Sequence, residues 1–174
     1  MKLEKLPSSR NVLKKRRVLP NKIKVDVMPY NWCYIFRPNK NTVEILIPKS
    51  KSLNLIRYHF PKTVAGVATI TREGANIYNL TIKEPQARTK GRMTVTKWLN
   101  KDFAKWFDEL LRVNGYAIGN DWYALDVETL QLIKDMINFL RKHPRVFEEF
   151  MQTVSPKSNI QKIKQIFHST KRVV

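Results

Sequence analysis

Residues 96–140 read TKWLNKDFAKWFDELLRVNGYAIGNDWYALDVETLQLIKDMINFL, and this stretch decides how the remainder is organised. It holds Trp98, Trp106 and Trp122, three of the four tryptophans, and its apolar residues recur at helical spacing. Val95, Leu99, Phe103, Trp106, Leu110 and Val113 fall every three or four residues, with Trp98, Phe107 and Leu111 widening the stripe. The spacing predicts a helix capped by Thr96 and stopped by Asn114-Gly115. A small hairpin over 116–125 is expected next, turning at Gly119-Asn120-Asp121. Asp126 then caps a second helix over 127–142, whose apolar positions (Leu130, Leu132, Ile133, Met136, Ile137, Phe139 and Leu140) cover most of its circumference and predict burial.

Charge sets this hub apart from its flanks. Residues 102–149 carry nine acids against six bases, whereas the whole chain of 174 residues has a formal net charge of +19. The cationic excess therefore lies outside the hub and recurs in several places. Such an excess repels itself in a compact state unless an anionic partner offsets it, and nucleic acid is the commonest such partner.

Downstream, His143-Pro144 breaks the second helix and a third is expected over 145–154, with Phe147, Phe150 and Met151 facing inward. Ser155-Pro156 reads as a cap with proline at the first helical position of a last helix, 156–170. Ile160, Ile163 and Phe167 form one face of it. Lys157, Gln161, Lys164 and His168 form the opposite one, with Lys171 and Arg172 extending the charge. This helix has no acid of its own, so its polar face suits phosphates and base edges.

Upstream, residues 22–83 show period two. Ile23, Val25 and Val27 alternate with polar residues; 33–36 and 43–47 flank the turn set Arg37-Pro38-Asn39-Lys40-Asn41; 64–71 and 76–83 flank Arg72-Glu73-Gly74-Ala75. Two hairpins follow from this pattern. The segment 49–60 suits either a strand or a short helix. Trp32, Tyr34, Phe36, Tyr58 and Tyr78 are interleaved with Lys40, Lys49, Lys51, Arg57 and Lys62, a pattern that suits base stacking beside phosphates; Trp32, Tyr34 and Phe36 share one strand parity and hence one face, which is either core or a stacking platform.

Two further segments are strongly basic. Lys14-Lys15-Arg16-Arg17 lies in an arm, 1–20, bounded by Pro7 and Pro20. Four adjacent cations favour extension until phosphates neutralise them. The loop after Glu84-Pro85 carries Arg88, Lys90 and Arg92 around Gly91, where the backbone can approach a phosphate closely. The spacing is not that of a nucleotide-binding P-loop.

Catalytic patterns are not evident. His59, His143 and His168 are far apart in sequence and lack metal-ligand spacing. No nucleophile-elbow, zinc-protease or kinase pattern occurs. Asp26 with Glu44, or Asp121 with Asp126, are the carboxylate pairs open to a metal-dependent nuclease, and turn and cap roles explain the second pair equally well. The lone Cys33 excludes an internal disulfide and fits a reducing compartment. No apolar run is long enough to span a bilayer.

The expectation is an α+β chain: a basic arm over 1–20, then one domain over 21–174. Its β-rich part, 21–86, is an antiparallel sheet of about 4–5 strands, and its helical part, 94–174, packs about four helices on that sheet. The expected function is non-enzymatic binding of RNA or DNA without a cofactor, through arm, loop and last helix. A larger nucleoprotein assembly, or a viral or mobile element, suits such a small Lys/Asn/Ile-rich chain. Cytoplasm or virion is the expected location. The tetrabasic cluster also suits nuclear import, and the acid-poor N-terminus a mitochondrial transit segment. Two alternatives remain open: a structural or inhibitory protein binding acidic protein surfaces, and a cryptic metal-dependent nuclease.

Overall fold

In a computed structural model, the described residues are 33–48, 55–85, 93–119 and 121–174. The arm, the 22–27 run, Trp32, residues 49–54 and the loop carrying Arg88, Lys90 and Arg92 lie outside them.

The fold is α+β; among the described residues most strands lie in the N-terminal part and four helices towards the C-terminus. The strands divide between two antiparallel sheets. The first is a meander of β1 (Tyr34–Asn39), β2 (Thr42–Pro48) and β3 (Leu55–Pro61). The chain turns at Lys62-Thr63 into the second sheet. That sheet comprises β4 (Val64–Arg72), β5 (Tyr78–Glu84), β6 (Met93–Leu99), β7 (Tyr116–Ile118) and β8 (Trp122–Asp126), in the order β6-β5-β4-β8-β7. Both expected hairpins are present, as β1–β2 and β4–β5, and so is the small hairpin, as β7–β8.

Alternation along the strands explains why two sheets form. Tyr123 and Leu125 join Ala68, Leu80, Ile82 and Leu99 in a core shared with the helices. Trp122 and Ala124 point the other way and join Val64, Val67 and Ile118 in a second core with Ile35, Val43, Ile45, Ile47, Tyr58 and Phe60 of the first sheet. The five-stranded sheet is thus the middle layer, and β8 is apolar on both faces because both are covered.

The helices are α1 (Lys101–Asn114), α2 (Val127–Lys142), α3 (Pro144–Thr153) and α4 (Ile160–Arg172). Asp126 caps α2 as expected, its Oδ1 accepting from the Thr129 amide at 2.8 Å. The expected start of α1 is corrected. Residues 93–99 pair along β5 as a strand, and Asn100, not Thr96, is the cap, accepting from the Phe103 amide at 2.9 Å. The β-branched run Thr94-Val95-Thr96 favours that strand. α1 ends where expected. An added Cβ at Gly115 would lie 2.7 Å from the Leu111 carbonyl and 3.0 Å from Tyr123 Cβ, so the close approach of helix and sheet requires glycine here.

α4 likewise begins later than expected. Residues 156–158 form a turn, and Asn159 is the cap, accepting from the Gln161 amide at 2.7 Å. α3 docks through Phe147, stacked 5.8 Å from Phe107, and through Phe150, while Trp106 Nε1 donates to the Val154 carbonyl at 3.1 Å.

Candidate nucleic-acid interface

Three strand and helix ends converge at one end of the five-stranded sheet. Arg72, Tyr78 and Leu99 are cross-strand neighbours there, and α1 starts two residues after Leu99. The β4–β5 turn is closed by the Glu73 and Gly74 amides, which both donate to the Ile77 carbonyl at 2.9 and 3.1 Å. Arg72 Nε donates to the Gly74 carbonyl at 3.0 Å, and the Lys101 amide donates to Asn76 Oδ1 at 3.1 Å. These bonds tie the turn to the start of the helix and hold Arg72 and Lys101 on a common rim.

The rim encloses a groove of about 370 Å³ floored by Ile70, Tyr78 and Ala104 and edged by Arg72, Lys101, Lys105 and Arg112, with Asp108 and Asp121. Arg112 is committed to Asp108, its Nε donating at 2.8 Å, and this hydrogen bond holds its guanidinium charged beyond the ordinary range. Asp121 sits at φ 63° in the β7–β8 turn, with its carbonyl accepting from Thr69 Oγ1 at 2.9 Å. Arg72, Lys101 and Lys105 are all exposed. The resulting surface is a cationic rim over a partly aromatic floor, which suits a phosphate beside a planar group.

A second cationic cluster arises from helix pairing. Glu128 meets Gln161 and Lys164, and Phe139 meets Phe167 at 5.5 Å, so α2 and α4 run parallel. Their C-terminal ends therefore come together. His143 lies 4.9 Å from the Phe139 ring and Lys171 Nζ 5.3 Å over Phe167, which also contacts His168. Arg141, Lys142, His168, Lys171 and Arg172 are exposed around this corner. Cations at helix C-termini complement the helix dipole, so part of this charge serves the fold.

The structure separates the residues expected on the last helix. His168, Lys171 and Arg172 belong to this corner. Lys157 lies in the preceding turn, its amide donating to Ser155 Oγ at 3.2 Å. Gln161 donates to Glu128, and Lys164 Nζ lies 3.5 Å from the same carboxylate. The acid that α4 lacks is supplied by α2, a neighbour that helical periodicity cannot reveal. Lys14, Lys15, Arg16, Arg17, Arg88, Lys90 and Arg92 lie outside the described residues. The rim of Arg72, Lys101 and Lys105 escaped sequence reasoning, because its members come from a turn and a helix face that read as ordinary solvated positions.

The aromatic strand face is also resolved. Tyr58 is core, whereas Tyr34 and Phe36 face away from it, in edge contact at 5.6 Å. Beside them Leu46, Glu44 and Arg57 are buried; Arg57 Nη2 lies 3.1 Å from Glu44 Oε1, and its guanidinium carbon 6.0 Å from the Phe36 ring centre. That face is not an open platform. Glu44, considered above for a metal pair, contacts Arg57 and also His59 at 3.3 Å. Asp126 is a helix cap. Among the described residues, no group of three or more His, Cys, Asp or Glu is arranged to hold a metal ion, and no helix is long and apolar enough to cross a membrane.

No protein-family model, curated protein or solved structure matches this chain.

The opposite flank of α1 has the reverse polarity. Asp102, Glu109 and Glu148 line a groove of about 320 Å³ between α1 and α3, beside Trp106, Met151 and Pro156, with Lys105 shared between this groove and the cationic rim.

Proposed function

We propose that the protein binds nucleic acid without catalysing its cleavage, as one component of a larger nucleoprotein assembly. The observation that carries this reading is the rim of Arg72, Lys101 and Lys105 over Tyr78, on a chain of net charge +19. The corner formed by α2 and α4 adds a second set of phosphate contacts. The basic arm and the Arg88–Arg92 loop supply further charge in the sequence. An origin in a viral or mobile element fits the same composition.

Titration with RNA and DNA at several salt concentrations tests the proposal. Each neutralised phosphate contributes a slope of about −0.7 to −0.9 in log affinity against log salt. Replacing Arg72, Lys101 and Lys105 together by alanine is expected to flatten that slope by about two. Weak binding insensitive to salt would refute the proposal. Magnesium-dependent cleavage in the same titrations would favour the nuclease alternative.

A further inference from the structure

Trp98 does not belong to the apolar stripe that its spacing suggests. It stands on β6, one of the two edge strands of the five-stranded sheet, and is 56% exposed, whereas Trp106 and Trp122 are 6% and 1% exposed. Leaving an indole in water forfeits the burial that stabilises the other two. Its cross-strand partner is Asn79, which pairs in turn with Thr71; Thr96 pairs with Thr81 two residues along the same face. Among the described residues, those paired on this part of the face, Thr71, Asn79, Thr81, Thr96 and Trp98, are all uncharged. Thr71 Oγ1 and Asn79 Oδ1 lie beneath the surface without hydrogen-bond partners. Ile77, 52% exposed, lies in the β4–β5 turn just before β5.

The position of this face matters as much as its composition. Trp98 is three residues before Lys101, at most about 10 Å of chain. Tyr78 is the cross-strand neighbour of Leu99, and Arg72 that of Tyr78, at the same sheet end. A polymer crossing that end would meet an indole on one side of the sheet and a cationic rim on the other. In a duplex both faces of each base are already stacked, whereas an unpaired base offers its face to an aromatic side chain.

We propose that Trp98 stacks an unpaired base of single-stranded nucleic acid, whose backbone continues onto Arg72, Lys101 and Lys105. This rests on the nucleic-acid-binding reading above and specifies the strand state of its ligand. The exposed hydroxyl of Thr96, two residues along the same strand face, bonds base edges with little selectivity, while the rim neutralises adjoining phosphates.

The test compares the full chain with its Trp98→Ala, Trp98→Phe and Arg72→Ala/Lys101→Ala/Lys105→Ala variants. Each is titrated with fluorescently labelled oligouridine, oligothymidine and a duplex of matched length, at low and moderate salt. The unpaired strands should bind more tightly than the duplex. Trp98→Ala should weaken them by about five- to a hundredfold, the range of one lost base stack, and leave duplex binding unchanged. Trp98→Phe should retain most of the affinity. Quenching of tryptophan emission by the unpaired strands should diminish in Trp98→Ala. The triple variant should weaken every ligand and flatten the salt dependence. Equal affinity for duplex and single strand, or wild-type affinity in Trp98→Ala, overturns the stacking site while leaving nucleic-acid binding in place. Loss of self-association in Trp98→Ala with unchanged affinity overturns it in favour of a protein contact. Failure of the wild-type chain to bind any of the three overturns both readings. Trp98 is exposed, so its variants should melt with the wild type, and Trp98→Phe tests stacking independently should Trp98→Ala fold poorly.

Discussion

Lys83 Nζ donates a hydrogen bond of 2.6 Å to the Cys33 carbonyl, joining β5 of the five-stranded sheet to the start of β1 in the three-stranded one. The same ammonium lies 5.6 Å over the Trp122 ring. Burial lowers the Lys83 pKa, because the charged form loses hydration that one carbonyl and one ring replace only in part. Lys83→Ala removes the bond and the packed stem together and leaves a carbonyl unpaired at the seam between sheets. The expected loss is about 1–3 kcal/mol, read as a lower urea midpoint.

Cys33 itself is 2% exposed, and burial pushes its thiol from 9.0 up to about 12, with the nearby Lys83 charge pulling the other way. Between pH 9 and 12 the unfolded chain releases this proton and the folded chain keeps it, so the group's contribution to stability falls as pH rises through that window. The slope is up to about 1.4 kcal/mol per pH unit. Lys83 acts in the opposite sense below 10.5, where the unfolded chain holds the proton that the folded chain gives up sooner. Cys33→Ala is therefore expected to flatten the alkaline decline relative to wild type. Alkylation of the native protein at pH 8 should be far slower than in denaturant; equal rates would contradict the burial.

Phe147 ties α3 to α1. It is fully buried, stacks on Phe107 at an interplanar angle of 8°, and meets Trp106 edge-on at 5.9 Å. Phe147→Ala leaves a cavity among rings that cannot collapse into it. The expected cost is about 3–5 kcal/mol by chemical denaturation, with the near-ultraviolet dichroism of Trp106 reduced.

Asp126 both ends β8 and caps α2. Asp126→Ala removes the acceptor for the Thr129 amide and should cost about 1 kcal/mol in thermal or urea unfolding. Asp126→Asn should recover most of that loss, because the amide oxygen accepts the same bond.

Much of this fold is legible locally. The two N-terminal hairpins announce themselves by turn residues between β-branched runs, and α2 by its cap and its spacing. Local reading fails at 93–99, where Val95 and Leu99 continue the period of α1 although the residues pair with β5. An apolar residue every fourth position satisfies both periods over so short a run, and only the partner strand breaks the tie. The candidate interface was harder to read. Arg72 and Lys101 are distant in sequence, and their proximity depends on the β4–β5–β6 register. Lys164 shows the reverse, since its carboxylate neighbour lies on another helix.

By itself the sequence determined the α+β class, the three hairpins, the cap of α2 and a cationic excess that calls for an anionic partner. Each follows from residues near one another in the chain or from a sum over all of them. Only the tertiary structure decided that two sheets sandwich Trp122, that Trp98 faces water, and that Arg72, Lys101 and Lys105 share a rim. Those outcomes depend on which strands pair and which faces are covered, and burial is a property of neighbours in space.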